Sequence, residues 1–247
     1  FQDSVRAQDR PNFVTLVADD LGYADCGFNG GTDIATPHLD ALAASGVILE
    51  SFYVQPVCTP TRAALMTGRY AIRLGLQVGV IRPWAEHGLP LEERTLAEVL
   101  REAGYGTAIC GKWHLGSFDP AHHPCNRGFD HAYGHLFGAI DYFTHVRDEQ
   151  LDWYRDGVLL EEEGYTTHLL ADDAVRFIQS QDKATPFFLY VPFNAVHTPL
   201  QAPEEYLAPY GSLPERRRTM AGMLSALDEA VGRIVAAVDQ QGMRART

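Results

Sequence analysis

The run Phe13-Val14-Thr15-Leu16-Val17-Ala18-Asp19-Asp20-Leu21-Gly22-Tyr23 joins an apolar, β-prone hexapeptide to two adjacent carboxylates and a turn. The first six residues predict a buried strand, because a continuous apolar run of that length, closed by turn formers, fits a sheet interior. Asp19 and Asp20 then emerge where the strand gives way to a loop, which is where open α/β sheets carry their ligands. Taken alone the pair reads as a solvated acidic turn. Two adjacent carboxylates also repel each other unless a cation joins them, and they are hard oxygen ligands of the kind Ca²⁺ or Mg²⁺ takes.

The same design recurs twice. Tyr105 to Cys110 reads as a second strand running into Gly111-Lys112-Trp113-His114-Leu115-Gly116, where the flanking glycines let the backbone turn and hold Lys112 and His114 toward one side. A cation and a titratable imidazole placed there suit an oxyanion with a poor leaving group. Pro186 to Phe193, the most apolar stretch, reads as a central strand buried on both faces, and Asn194-Ala195-Val196-His197-Thr198-Pro199 follows it.

Helices fill the intervals. Thr36 and Pro37 open one that runs through Ser45 and stops at Gly46, after which Val47 to Val54 reads as a returning strand. Thr95-Leu96-Ala97-Glu98 is a capping box for a helix ending at Gly104. Residues 116–163 are mixed, aromatic and loop-rich, and His131, His135 and His145 among them are expected to line a pocket. Thr166 to Gln181 and Pro214 to Gln241 read as amphipathic helices, with Leu169, Leu170, Val175, Phe177 and Ile178 on the inner face of the first. Alternating strands and helices predict an α/β sandwich with a mostly parallel, mixed sheet between helices, as one domain over residues 1–247.

Cys58-Thr59-Pro60-Thr61-Arg62, followed by Ala63-Ala64-Leu65-Met66-Thr67-Gly68-Arg69, carries the chemistry. Pro60 suits a first helical turn, and the residues after Arg62 are good helix formers. Cys58 therefore sits at a helix start, where unpaired amides favour negative charge, and Arg62 lies one turn on along the same face. Only three residues separate the thiol from the guanidinium, too few for the phosphate loop of a cysteine phosphatase. The plainer reading is a buried Cys before an ordinary helix.

These segments together resemble the type I sulfatases, whose signature places Cys-x-Pro-x-Arg just before Thr-Gly-Arg. Thr61 departs mildly from the Ser more usual there. The family carries a similar Ala-Asp-Asp-Leu-Gly-Tyr segment before the Cys, a matching Gly-Lys-Trp-His-Leu-Gly, and a third segment written His-x-Pro that His197 resembles. The resemblance implies an alkaline-phosphatase-like fold, oxidation of Cys58 to Cα-formylglycine by a sulfatase-maturing enzyme, and a Ca²⁺ or Mg²⁺ ion held by Asp19, Asp20 and the formylglycine. It further implies that Arg62 activates the nucleophile, that Lys112 and His197 hold sulfate and protonate the leaving oxygen, and that His114 removes a proton to release the covalent sulfate.

Tyr53 to Cys58, Gly75-Leu76-Gln77, Arg127-Gly128-Phe129-Asp130 and Asp141-Tyr142-Phe143 look like the arylsulfatase B group. The implied substrate is an aryl or sugar sulfate, with N-acetylgalactosamine 4-sulfate as the sugar; a phosphonate monoester or phosphodiester hydrolase built on the same site is the alternative. Family members continue past this point into a strand with an Asp-Asn pair, a sulfate-binding Lys and a smaller C-terminal domain. The sequence thus reads as a C-terminally truncated sulfatase, and an inactive fragment or pseudoenzyme is the third reading.

Composition narrows the partners. The 247 residues are 46% hydrophobic and 21% charged, enough for one large core. A net charge of −12 argues against nucleic acid, whose phosphates it would repel. No apolar run approaches the ~20 residues of a membrane span. With Cys58 set apart, Cys26, Cys110 and Cys125 form no complete disulfide framework, and His122-His123-Pro124-Cys125 reads as a plain loop rather than a zinc cluster. Val5-Arg6-Ala7 resembles the end of a cleaved leader, and the family resemblance implies an exported or lysosomal location.

Overall fold

The expected run from Phe13 forms strand β1 (Phe13–Val17). The computed structural model describes residues 10–247, and Val5-Arg6-Ala7 lies outside them. Helices α1 (Pro37–Ala44), α2 (Cys58–Thr67) and α3 (Leu96–Glu102) precede strands β2 (Gly106–Lys112) and β3 (His131–His135). Two small hairpins follow, β4 (Val146–Arg147) with β5 (Gln150–Leu151), and β6 (Tyr154–Arg155) with β7 (Val158–Leu159). Helix α4 (Thr166–Ser180), strand β8 (Phe187–Pro192), the short α5 (Glu204–Leu207) and the long α6 (Glu215–Gln240) come next.

The main sheet has the strand order β1-β8-β2-β3-β6-β7. Its first four strands are parallel and the β6–β7 hairpin is antiparallel, so the sheet is the mixed, mostly parallel one expected. All of β8 is buried. Phe187, Leu189 and Val191 enter a core shared with α4 and α6, while Phe188 and Tyr190 enter a second core with Ala63 and Met66 of α2 and Ala97 of α3. A strand covered on both faces needs no polar alternation, which is why it reads as one apolar run. On α4, Leu170, Ala171, Ala174 and Ile178 are buried, and Leu169, Val175 and Phe177 pack partly buried beside them.

Close strand packing also dictates sequence. Gly111 has φ 147°, and a Cβ there would lie 2.1 Å from the carbonyl oxygen of Pro192, so no larger residue fits where β2 passes β8.

The helix starts differ in how they are capped. At α3 the expected capping box forms: the Thr95 hydroxyl accepts from the Glu98 amide at 3.1 Å, and the Glu98 carboxylate accepts from the Thr95 amide at 2.7 Å. Thr36 does not cap α1. Its hydroxyl accepts from the Gly27 amide and donates to Asp40, both at 2.9 Å. The amides of His38 and Leu39 donate instead to Asp228 of α6, at 3.2 and 2.8 Å.

Other expectations are corrected. Val47 to Val54 is not a strand: the segment has no strand partner among the described residues, and Val47 and Tyr53 are each 86% exposed. β-branched composition without a neighbour to pair with leaves only an extended loop. Strand β3 lies inside the region read as loop, hidden by its glycine and histidines. Of those histidines, His135 lines a small pocket with Ile109, Cys125 and Tyr154. His131 bridges Asp156 at 2.9 Å and Asp173 at 2.6 Å, while His135 and His145 are buried against Trp153. All four cysteines are free, and no metal-ligand group forms around His122, His123 and Cys125 among the described residues.

Candidate active site

Three polar loops meet because three parallel strands are neighbours. In the order β1-β8-β2 the C-terminal ends lie along one sheet edge, and they deliver Asp19 and Asp20, then Asn194 to His197, then Lys112 and His114. Helix α2 brings its own first residue, Cys58, to the same place. Pro60 sits in its first turn, and Gly68, at φ 65°, ends it in the left-handed conformation.

Asp19 is the centre of the cluster. One carboxylate oxygen accepts a hydrogen bond from the Lys112 ammonium and lies 3.4 Å from an Arg62 nitrogen. The other faces the Cys58 thiol at 3.7 Å. Arg62 also donates to the Lys112 carbonyl at 2.8 Å, so the two cations hold each other in place through main chain and carboxylate together. Burial works against the charge of Asp19, but Arg62 and Lys112 outweigh it and hold the carboxyl below its ordinary pKa. Burial, aided by Arg62, lowers the pKa of Lys112 in turn.

His197 donates from Nδ1 to the Thr198 carbonyl at 2.6 Å, which turns Nε2 toward Cys58 and toward Asp20 at 3.5 Å. Its hydrogen bond with Cys58 raises the imidazole pKa. At Cys58 burial opposes ionisation, and His197 and Lys112 overcome it, so the thiol pKa is lowered. His114 is buried in the left-handed conformation at φ 56°. Burial, with Lys112 and Arg62 nearby, drives its pKa well below the ordinary value and keeps the ring neutral.

The donor atoms of Asp19, Cys58 and His197 all lie within 4.8 Å of one another. Asp20 does not join that group: its side chain is 62% exposed and reaches the cluster through His197. Asp19, Cys58, Arg62 and Tyr190 line a cleft of about 240 Å³ with Asp20 and Gln55. Its lining sets the buried guanidinium of Arg62 beside the carboxylates of Asp19 and Asp20 and the Cys58 thiol, which suits a tetrahedral oxyanion held beside a nucleophile and a hard cation.

Some residues of this neighbourhood left no signal in the sequence. The Tyr142 hydroxyl lies 2.7 Å from the Asn194 carbonyl and 2.8 Å from that of His197, and it holds the loop after β8 from outside the cleft. The sequence marks Tyr142 only through its subgroup resemblance. Thr59 hydrogen-bonds the His114 carbonyl at 3.1 Å, beneath the signature rather than within its Cys-Pro-Arg pattern.

Comparison with known proteins adds the family. The family profile described as Sulfatase matches residues 11–247. Arylsulfatase J of Mus musculus is 40% identical over 248 residues, spanning 94% of this chain and 40% of that protein. Arylsulfatase A of Bos taurus is 35% identical over 266 residues, spanning 96% of this chain and 50% of that protein. The chain therefore spans about half the length of the curated relatives it matches. The crystal structure of Ps i-CgsB superposes with a TM-score of 0.91 at 40% identity, covering 96% of this chain and 57% of that one, and a second structure of it, at 38% identity, TM-score 0.91 and the same coverage, contains k-i-k-neocarrahexaose. A profile that covers all but the first ten residues, joined to relatives of this similarity, gives a single assignment: the chain belongs to the sulfatase family.

Proposed function

We propose that this chain supplies the nucleophile and the anion-binding residues of a hydrolase acting on aryl or sugar sulfates. The observation that carries the reading is Asp19, held between buried Lys112 and Arg62 with its free oxygen on Cys58. Oxidised to formylglycine by a maturing enzyme, Cys58 supplies an aldehyde hydrate, with one hydroxyl to attack sulfur and a second whose deprotonation releases sulfate and restores the aldehyde. Calcium or magnesium, when bound, supplies a Lewis acid for the sulfate oxygens. The free oxygen of Asp19, the carboxylate of Asp20 and an oxygen at residue 58 are the hard donors that would hold such an ion.

The chain's own groups do the remaining work. Lys112 and Arg62 are fixed before substrate arrives, so they stabilise growing negative charge without reorganising. His197, its pKa raised, carries the proton that the departing alcohol oxygen needs. His114 stays neutral and accepts the proton of the second hydroxyl. A glycan substrate is supported by the sugar complex of Ps i-CgsB. N-acetylgalactosamine 4-sulfate is the sugar proposed, on the subgroup segments, in an exported or lysosomal setting. No helix among the described residues is long and apolar enough to cross a membrane.

The test pairs chemistry with maturation. After coexpression with a sulfatase-maturing enzyme, mass spectrometry of the Cys58 peptide is expected to show the aldehyde, and hydrolysis of aryl sulfate is expected to exceed that of aryl phosphonate. An unmodified thiol, or preference for the phosphonate, overturns the reading.

A further inference from the structure

We infer that Thr59 is a positioning residue whose hydroxyl, together with the main chain of Ile81, fixes His114 as the Nε2–H tautomer and leaves Nδ1 as the proton acceptor. The use made of Nδ1 rests on the hydrolase reading above; the tautomer does not.

Three hydrogen bonds close a ring. The Thr59 hydroxyl donates to the His114 carbonyl at 3.1 Å. The Ile81 amide donates to that same hydroxyl oxygen at 3.1 Å. The Ile81 carbonyl lies 2.8 Å from His114 Nε2, and a carbonyl only accepts, so Nε2 carries the hydrogen. A neutral imidazole has one hydrogen, and Nδ1 is therefore a bare lone pair; it is buried and has no partner. An unpaired buried acceptor is costly, and such groups persist where function uses them.

The ring of bonds has no slack. Thr59, Ile81 and His114 are all at most 4% exposed, so water cannot replace any of the three. The imidazole cannot swing aside either, because Gly138 packs on it so closely that a Cβ there would lie 2.3 Å from His114 Cε1. His114 also holds a left-handed backbone, which a side-chain-bearing residue adopts only at a cost, and the Thr59 bond to its carbonyl secures that conformation. A hydroxyl one residue after the nucleophile thus sets the orientation of the base.

A threonine that merely filled space would be replaceable by valine, which separates the two accounts. In two-bond ¹H–¹⁵N spectra of histidine-labelled protein, with His114 assigned by loss of its signals in His114→Gln, the wild type is expected to show Nε2 protonated and Nδ1 bare. Thr59→Ser keeps the hydroxyl and is expected to keep that pattern, while Thr59→Val is expected to lose it; Thr59→Ala serves in the same way where the valine variant does not fold. Protonated Nδ1 in the wild type, or the wild-type pattern in folded Thr59→Val, overturns the inference. In the matured enzyme, with rates normalised to formylglycine content, Thr59→Val is expected to lower kcat roughly 10–100-fold with KM little changed. A rise in KM at constant kcat counts against it. Absence of sulfate hydrolysis in the wild type defeats the proposed function and leaves the tautomer result standing.

Discussion

Asp19 serves Lys112, Arg62 and Cys58 with two oxygens, and nearly everything around it is dry. Charges buried this way are secured by their partners, and removing one partner leaves the other uncompensated. Lys112→Met is therefore expected to destabilise the fold by about 3 kcal/mol, read as a lower urea midpoint; an unchanged midpoint shows that Arg62 alone suffices for Asp19. A substitution that adds only one methyl is expected to be as harmful when it lands on Gly111, since the added carbon meets the Pro192 carbonyl at 2.1 Å. Gly111→Ala is expected to lower the melting temperature and to broaden the amide signals of both β2 and β8, and retention of wild-type stability contradicts the close approach. At this scale the sequence was legible where a polar residue stands within a few positions of the end of an apolar run, as at Asp19, Lys112 and His197. Thr59 was not legible, because two of its partners are main-chain groups of Ile81 and His114, which leave no imprint on residue identity.

Among the elements, α1 and α4 owe their anchoring to remote side chains. The amides at the start of α1 are satisfied by Asp228, 189 residues from Leu39, so Asp228→Ala is expected to cost about 1 kcal/mol and to speed hydrogen exchange at His38 and Leu39. Slow exchange at both amides in that variant excludes the cap. Helix α4 is joined to β3 and β6 by Asp173, which meets His131, Arg155 and Arg176. Both ring nitrogens of His131 face carboxylates, Asp156 and Asp173, so only the imidazolium satisfies both, and the Asp173 hydrogen bond raises its pKa above the ordinary 6.5. The folded state then binds the proton more tightly than the unfolded chain. This contribution is complete below about pH 6.5 and is lost as pH rises through the elevated folded value. The difference in melting temperature between wild type and His131→Gln is accordingly expected to shrink from pH 6 to pH 8.5, and a difference that grows disproves the clamp. The capping box of α3 and the apolar run of β8 were readable because their determinants are local. The cap of α1 and the loop at Val47 to Val54 were misread because what decides them is a distant carboxylate in one case and a missing strand partner in the other.

At the scale of the molecule, the two faces of the sheet are covered, but among the described residues nothing pairs with the outer edge of β1. Among the described residues β1 pairs only with β8, and a cleft of about 600 Å³ beside it is lined by Leu16, Phe52, Tyr53 and Leu65. Phe52, Tyr53 and Val54 are between 64% and 86% exposed there. An unpaired edge next to such a patch favours association, so the 247-residue chain by itself is expected to bind a hydrophobic dye and to scatter light increasingly with concentration. Lysines at Val47 and Tyr53 are expected to suppress both, and a dye-silent monomer at high concentration refutes the expectation. The α/β class was legible from the alternation of apolar runs and helical stretches, whereas this open edge was not, since strand order is absent from a linear pattern. That order also sets a timetable. The start of β1 is tied to β8 through the Asn12 side chain and the Phe187 amide, groups 175 residues apart. At roughly 5–20 residues per second of synthesis, β1 waits on the order of ten seconds or more on the ribosome before its neighbour exists. Until then the stretch around Cys58, made before β2, β3 and β8, lacks the finished sheet it later packs against. On the proposed reading, a maturing enzyme that needs it extended would act then, ahead of the burial of Pro60 and Arg62 that later closes it off.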